Sequence, residues 1–155
     1  RARGLPVGTS LVSAAVPKSD VLEHPKFLAP VDVTVERPDK QVHVKKVSEV
    51  ANDERIVDIG PDTFAMIAPL IAGARCILWN GPTGLYEHGY TMWTERIAEL
   101  IGKSAGQAVI GGGDTVAAIQ ECHVEVGANT FLSTGGGAMI EYLLNGSLPG
   151  IDALK

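Results

Sequence analysis

The sequence predicts an α/β fold: a doubly wound, mostly parallel sheet of the Rossmann-like kind, preceded by a small β-hairpin. Three observations carry that prediction. From residue 55 onward, short apolar runs alternate with segments of helical periodicity, the pattern of a parallel sheet covered by helices. Two of these runs stop at glycine triplets that open the next helix, in AVIGGGDT (Ala108 to Thr115) and TFLSTGGGA (Thr130 to Ala138). Before residue 50, two alternating segments flank a turn-rich stretch and read as a hairpin.

In chain order, Arg1-Ala2-Arg3 reads as the last turn of a helix, with Gly4 just past its end. The chain opens without a methionine and is expected to be a piece of something longer. A connector with Pro6, Gly8 and Pro17 follows. A strand is predicted from Phe27 to Glu36, with Val31, Val33 and Val35 facing a core and Asp32, Thr34 and Glu36 facing solvent. Arg37-Pro38-Asp39-Lys40 is turn chemistry. Gln41 to Val47 returns with Val42 and Val44 inward and His43 on the surface. The parallel set is expected to begin with Arg55 to Ile59.

A helix opened by Pro61 and Asp62 and stopped by Gly73 puts Phe64, Ile67 and Ile71 on one face; Pro69 predicts a kink or an early end. Arg75 to Trp79 is a continuous apolar strand, the type buried on both faces of a parallel sheet. A loop from Asn80 to Gly89 leads to a helix over Thr91 to Ile101, where Trp93, Ile97 and Ile101 recur every fourth residue. Glu99 and Lys103 pair on its outer side, and Gly102 ends it. Strand, triplet and helix then occur twice, the second helix stopping at Asn145-Gly146.

The 155 residues suffice for about one domain with its own core, and 45% apolar with 20% charged residues is ordinary globular composition. A net charge of -5 and the lack of a basic stripe argue against nucleic-acid binding; Lys45-Lys46, the adjacent basic pair, reads as a solvated strand end. Cys76 and Cys122 belong to no CxxC or Cys/His cluster and read as small buried hydrophobes, which suits a reducing cytoplasm. No run of about eighteen apolar residues is present to span a membrane.

The motifs concentrate at the ends of the apolar strands, where open α/β sheets bind ligands. A strand that stops at glycines and turns into a helix brings bare N–H groups and a positive helix end to one point, which suits phosphate. In WNGPTGLYE (Trp79 to Glu87), Asn80 offers an amide, and Gly81 and Gly84 permit close backbone approach. Leu85 and Tyr86 offer apolar surface for a base, and Glu87 can accept from two sugar hydroxyls. The same stretch also fits a plain strand–loop–helix connection.

Asp114 in GGGDT fits either a helix N-cap or a magnesium-binding carboxylate beside phosphate, and the two roles are compatible. Thr115 adds a hydroxyl there. The uncharged STGGGA, from Ser133 to Ala138, suits a transferring phosphoryl whose charge spreads over its oxygens. Neither triplet fits GxxxxGK[ST] or a dinucleotide fingerprint, and there is no serine nucleophile elbow. His24, His88 and His123 read as surface or structural residues.

WNGPTGLYE, IGGGDT and STGGGA followed by LPGIDAL, in this order and spacing, resemble the carboxyl-terminal, nucleotide-binding half of phosphoglycerate kinase, as do APVD (Ala29 to Asp32) and DIGP (Asp58 to Pro61). The resemblance runs from Gly4 to Lys155. It implies part of a two-domain kinase fold, monomeric, that moves a phosphoryl group between ATP and 3-phosphoglycerate with Mg²⁺, giving ADP and 1,3-bisphosphoglycerate. The alternative is a nucleotide-binding module without chemistry.

Carried over by position, Asn80, Gly81 and Pro82 meet the nucleotide, Leu85 packs on adenine and Glu87 holds the ribose. Gly111, Gly112, Gly113 and Thr115 meet phosphates, and Asp114 serves the metal. Gly135, Gly136 and Gly137 face the transferred group, with Ser133 and Thr134 near the hinge. The chain departs from the family at Ile56, where glycine is usual, at Tyr86, where phenylalanine is common, and at Trp93-Thr94 in place of Gly-Thr. The resemblance also implies that residues 1–155 are a partial domain. It would lack the 3-phosphoglycerate domain, the first strands of its own sheet and a Gly-Gly-Ala-Lys segment, leaving apolar faces open.

Overall fold

The computed structural model describes residues 4–12 and 19–155. The expected helix end at Arg1 to Arg3 and Pro17 of the connector lie outside them. Two compact units divide the chain, Arg1–Ile67 and Ala68–Lys155.

In the first unit a short helix not anticipated from sequence, α1 (Ser19–Glu23), precedes a three-stranded antiparallel sheet ordered β2-β1-β3. The expected hairpin is β1 (Asp32–Glu36) with β2 (Val42–Lys46), paired from Asp32↔Lys46 to Glu36↔Val42. Its turn is closed by Lys40 N–H on the Arg37 carbonyl (2.9 Å) and by Gln41 N–H on Asp39 Oδ1 (3.0 Å). The strand starts at Asp32 rather than Phe27: Pro30 has no N–H to donate, and the N–H groups of Val31 and Asp32 both go to Thr63 Oγ1, at 3.0 and 3.1 Å.

Alternation along β1 holds for Val33 and Val35, which are buried with Val50. Asp32 and Thr34 on the opposite face are buried as well. The reason is long-range: helix α2 (Pro61–Gly73) begins there, and Asp32 caps it from another strand. Its carboxylate accepts N–H bonds from Asp62 (2.9 Å) and Thr63 (2.7 Å), and the Thr63 hydroxyl at 2.7 Å. Burial pushes the Asp32 carboxyl up, but the Thr63 and Asp62 hydrogen bonds outweigh it and hold it below the ordinary value.

β2 presents the face opposite to that expected. Val42 and Val44 are exposed, while His43 and Lys45 are half-buried. Glu54, only 2% exposed, turns that face inward: it accepts from Ala51 N–H (2.9 Å), Lys45 Nζ (2.7 Å) and Arg37 Nε (3.2 Å). Lys45 is therefore an ion-pair partner and not a free strand end.

β3 (Arg55–Ile59) was expected in the parallel set; instead it pairs antiparallel with β1, Val33↔Ile59 to Glu36↔Arg55. The hairpin leaves one edge of β1 open, and β3 fills it. α2 keeps its expected bounds but runs through Pro69. Pro69 has no N–H to offer the Ala65 carbonyl four residues back, and Ala65 and Pro69 both lie on the exposed side where water can take its place.

The second unit is the parallel part. β4 (Cys76–Asn80), β5 (Gln107–Gly111) and β6 (Thr130–Ser133) lie in the order β4-β5-β6. α3 (Met92–Lys103) and α4 (Gly113–Glu121) connect them, and α5 (Gly136–Asn145) and α6 (Pro149–Asp152) follow. Trp93, Ile97, Ala98 and Ile101 of α3 are buried, as are Val116, Ala118 and Ile119 of α4 and Ala108 and Ile110 of β5. The Glu99–Lys103 pair forms at 3.5 Å, and Gly102 sits inside the last turn, tight against the Glu125 carbonyl. α5 ends as expected at Gly146, left-handed at φ +73°.

β4 is not buried on both faces. Leu78, Val109 and Phe131 are in register across the sheet, and Leu78 and Phe131 are 51% and 66% exposed. Cys76 lies exposed on the same strand, against expectation, and Cys122, just past α4, is half-buried. Among the described residues no helix is long and apolar enough to cross a membrane.

Candidate functional site

The register of the second sheet aligns three strand ends. Asn80 of β4 pairs with Gly111 of β5, which pairs with Ser133 of β6. Parallel strands point the same way, so the loops that follow them, with both glycine triplets, leave from one edge of the sheet.

The triplets then touch. Gly112 N–H bonds the Ser133 carbonyl at 3.0 Å. A Cβ on Gly136 would fall on Asn80 Oδ1 and lie 2.6 Å from Gly112 Cα and 2.7 Å from Gly112 N. Gly112 is at φ +97°, where side chains are strained, and its own Cβ would sit 2.9 Å from Asn80 Oδ1. At Gly111 a Cβ would meet the flexible end of the Met139 side chain of α5, which could shift to make room. Gly112 and Gly136 are thus held bare by the packing around Asn80. Gly113 and Gly137 differ: a Cβ on either meets nothing within 4 Å, and both are exposed, as is Gly135. Their backbone is open to a ligand.

Gly112 and Gly135 are the N-caps of α4 and α5, and neither helix has a side-chain cap. Asp114 is therefore no N-cap; it stands exposed in the first turn of α4. The leading N–H groups of an α-helix have no partner within the helix. Gly113, Asp114 and Thr115 begin one helix, and Gly136, Gly137 and Ala138 the other.

Thr115 does not face the open side. It is fully buried, and its hydroxyl accepts Gly81 N–H at 2.8 Å, pinning the loop after β4 to α4. Thr94, also fully buried, holds the middle of that loop through Thr83 N–H and hydroxyl, both at 3.1 Å. Sequence reasoning missed this anchor, whose only signal was a threonine opening a helix. Beyond it, Leu85 is half-buried, Tyr86–His88 forms one 3₁₀ turn ending at Gly89 (φ +83°), and Glu87 is exposed on that turn. Pro82 is half-buried between the anchors.

Ser133 ends β6, and its hydroxyl accepts Gly135 N–H at 3.3 Å; Thr134 is exposed. Ser133 and Gly135 also line an apolar groove of about 470 Å³ with Leu78, Val109, Met139 and Tyr142; Leu85 and Glu87 are not part of its lining.

The Cys122 thiol is pushed up by burial, only partly offset by a hydrogen bond with Thr91. His24, His88 and His123 are exposed. Among the described residues no three His, Cys, Asp or Glu side chains gather to hold a metal unaided. Magnesium still fits, because it commonly takes one carboxylate and completes its shell with phosphate and water. Asp114, exposed in the first turn of α4, is a single carboxylate of the kind such a shell needs.

A family model described as phosphoglycerate kinase matches residues 1–146. Curated phosphoglycerate kinases of Francisella tularensis subsp. novicida (strain U112) and subsp. tularensis (strain WY96-3418) are 39% and 38% identical over 166 aligned residues, covering all of this chain. Two solved structures are similar. Phosphoglycerate kinase from Coxiella burnetii has TM-score 0.80 and 32% identity over 97% of this chain and 41% of its own. That from Pyrococcus horikoshii OT3 has TM-score 0.69 and 30% identity over 81% and 31%. The chain spans 42% of the length of the curated relatives it matches.

Proposed function

Since the chain belongs to the phosphoglycerate kinase family, we propose that it supplies the nucleotide-gripping part of an enzyme that moves a phosphoryl group between ATP and 3-phosphoglycerate, giving ADP and 1,3-bisphosphoglycerate. What carries this reading is the close approach of Gly136 to Gly112 and Asn80, which brings two helix entrances to one point. First-turn N–H groups of α4 and α5 receive the phosphates, aided by both helix dipoles. Gly135, Gly136 and Gly137 face the transferred group, where N–H donors meet the charge spread over its oxygens in the transition state.

Asn80 braces both entrances and offers its amide N–H groups to phosphate. Gly81 and Pro82 shape the loop, Leu85 gives the base an apolar surface, and Glu87 accepts from the ribose hydroxyls. Asp114 holds Mg²⁺ together with the nucleotide, and the ion, when bound, neutralises part of the phosphate charge. Thr115 acts by fixing Gly81. Ser133 and Thr134 mark the hinge. The protein works in the cytoplasm as a monomer, touching neither nucleic acid nor membrane.

The acceptor would be held by parts of a longer protein, so residues 1–155 alone are expected to bind Mg-ADP and turn nothing over. The narrower reading, a binding module without chemistry, is favoured for this chain by its 42% share of its relatives' length. Calorimetry with Mg-ADP and a coupled assay with ATP and 3-phosphoglycerate test both. Binding without turnover is expected; turnover by the chain alone contradicts the division of labour, and absence of binding contradicts the nucleotide site.

A further inference from the structure

Two buried threonines hold the loop after β4, and they hold different parts of it. Thr115, in the first turn of α4, accepts Gly81 N–H at 2.8 Å. Thr94, in the first turn of α3, accepts Thr83 N–H at 3.1 Å, and the two hydroxyls lie 3.1 Å apart. Both threonines are fully buried, so no water competes for either hydroxyl. Gly81 directly follows Asn80, beside the helix entrances, whereas Thr83 leads into Gly84, Leu85 and the turn that bears Glu87. That far part is itself hydrogen-bonded. The Gly84 carbonyl accepts Tyr86 N–H at 2.9 Å, and the Leu85 carbonyl accepts His88 N–H at 2.9 Å and Tyr90 N–H at 3.3 Å. From Thr83 onward the segment is one piece, tied to α3 through Thr94.

We propose that Thr94 is a positioning residue for the nucleoside end of the ligand. By holding Thr83 it keeps Leu85 and Glu87 where base and sugar meet them, while Thr115 serves the phosphate end separately through Gly81. This rests on the nucleotide reading proposed above. With its anchor intact, the loop meets the ligand in one conformation. Once the anchor is cut, Thr83 N–H turns to water, and only the fraction of molecules whose loop is in the gripping conformation binds; apparent affinity falls by that fraction. The Thr83 contact is only partly buried, which puts the effect of its orphaned donor near the low end, about tenfold. A ligand that consists of phosphates alone does not reach Leu85 or Glu87, so its affinity is not touched.

The test is calorimetric titration of the 155-residue chain, in excess Mg²⁺, with ADP and with inorganic pyrophosphate, which offers two phosphates and no nucleoside. The unaltered chain is expected to bind ADP the more tightly. Thr94→Val removes the hydroxyl and should lower ADP affinity about tenfold, leaving pyrophosphate affinity unchanged. Thr94→Ser keeps the hydroxyl and should bring ADP affinity back. Thr83→Val, at a half-buried position, loses only the hydroxyl contact and should lower ADP affinity about threefold, again without effect on pyrophosphate.

Equal losses for both ligands would make Thr94 a support of the whole site and overturn the proposal. So would an unchanged ADP affinity in Thr94→Val, or a Thr94→Ser variant that binds ADP no better. Should Thr94→Val fail to fold, Thr83→Val decides alone: a loss confined to ADP upholds the proposal, and an equal loss or none overturns it. Equal affinity of the unaltered chain for the two ligands removes the nucleoside contact, and the proposal with it, while the phosphate site stands. Binding of neither ligand by the unaltered chain overturns the nucleotide reading as well.

Discussion

One methyl group added at Gly136 has nowhere to go. Its carbon would fall on Asn80 Oδ1 and lie 2.6 Å from Gly112 Cα and 2.7 Å from Gly112 N. Overpacking of this kind costs about 1–3 kcal/mol, and alanine's better helix propensity offsets up to roughly 1 kcal/mol. Gly136→Ala is therefore expected to destabilise the second unit by about 1–2 kcal/mol. Gly137→Ala is the internal control: its Cβ meets nothing within 4 Å, so only the propensity gain applies. Urea unfolding followed by tryptophan fluorescence reads the difference, because Trp79 and Trp93 both lie in that unit. With urea m values of about 1–3 kcal/mol/M, the two midpoints should separate by on the order of 1 M. Mg-ADP affinity should fall with Gly136→Ala, since the wedge parts the two entrances. Equal midpoints for the two variants would refute the packing around Asn80 on which the site depends.

Two further perturbations follow from buried polar contacts. Thr115→Val leaves Gly81 N–H without its acceptor and should cost about 1–3 kcal/mol in the same urea assay, with Thr115→Ser restoring most of it; an unchanged midpoint would contradict the anchoring of the loop. The Glu54 carboxyl is held down to about 2 from 4.5, first by Ala51 N–H and then by Lys45 and Arg37, against burial that pushes it up. A depressed carboxyl contributes stability that is complete above 4.5 and is lost as pH falls toward about 2; Asp32, also depressed, acts with the same sign. Glu54→Gln should flatten the fall in stability across that window in an acid titration followed by circular dichroism, and a slope identical to the parent chain's would contradict the ion-pair assignment.

Local periodicity made much of the second unit legible. Trp93, Ile97 and Ile101 recur along one stripe of α3 and are all buried. Glycine-bounded apolar runs became β5, β6 and the helix entrances after them, and Asn145-Gly146 ended α5. What stayed hidden depends on partners distant in sequence. Nothing near Asp32 announces that it caps a helix starting at Pro61, and nothing near Thr115 announces Gly81. β3 looks like the first strand of a strand–helix unit, yet the open edge of β1 decides its place. The apolar run of β4 suggested burial on both faces, but a run of side chains cannot tell which faces neighbouring elements cover, and Leu78 and Cys76 remain exposed. At the site, the glycine triplets announced a cradle. Their division into glycines fixed by packing (Gly112, Gly136) and open ones (Gly113, Gly137) depends on atoms distant in sequence.

The most direct measurement is a ¹⁵N-resolved NMR titration of the chain with Mg-ADP, following amides rather than side chains. If both helix entrances grip one polyphosphate, Gly113 and Asp114 should shift together with Gly136 and Gly137, along a single saturation curve. Movement of one set with the other silent, or two curves with unrelated midpoints, would contradict it.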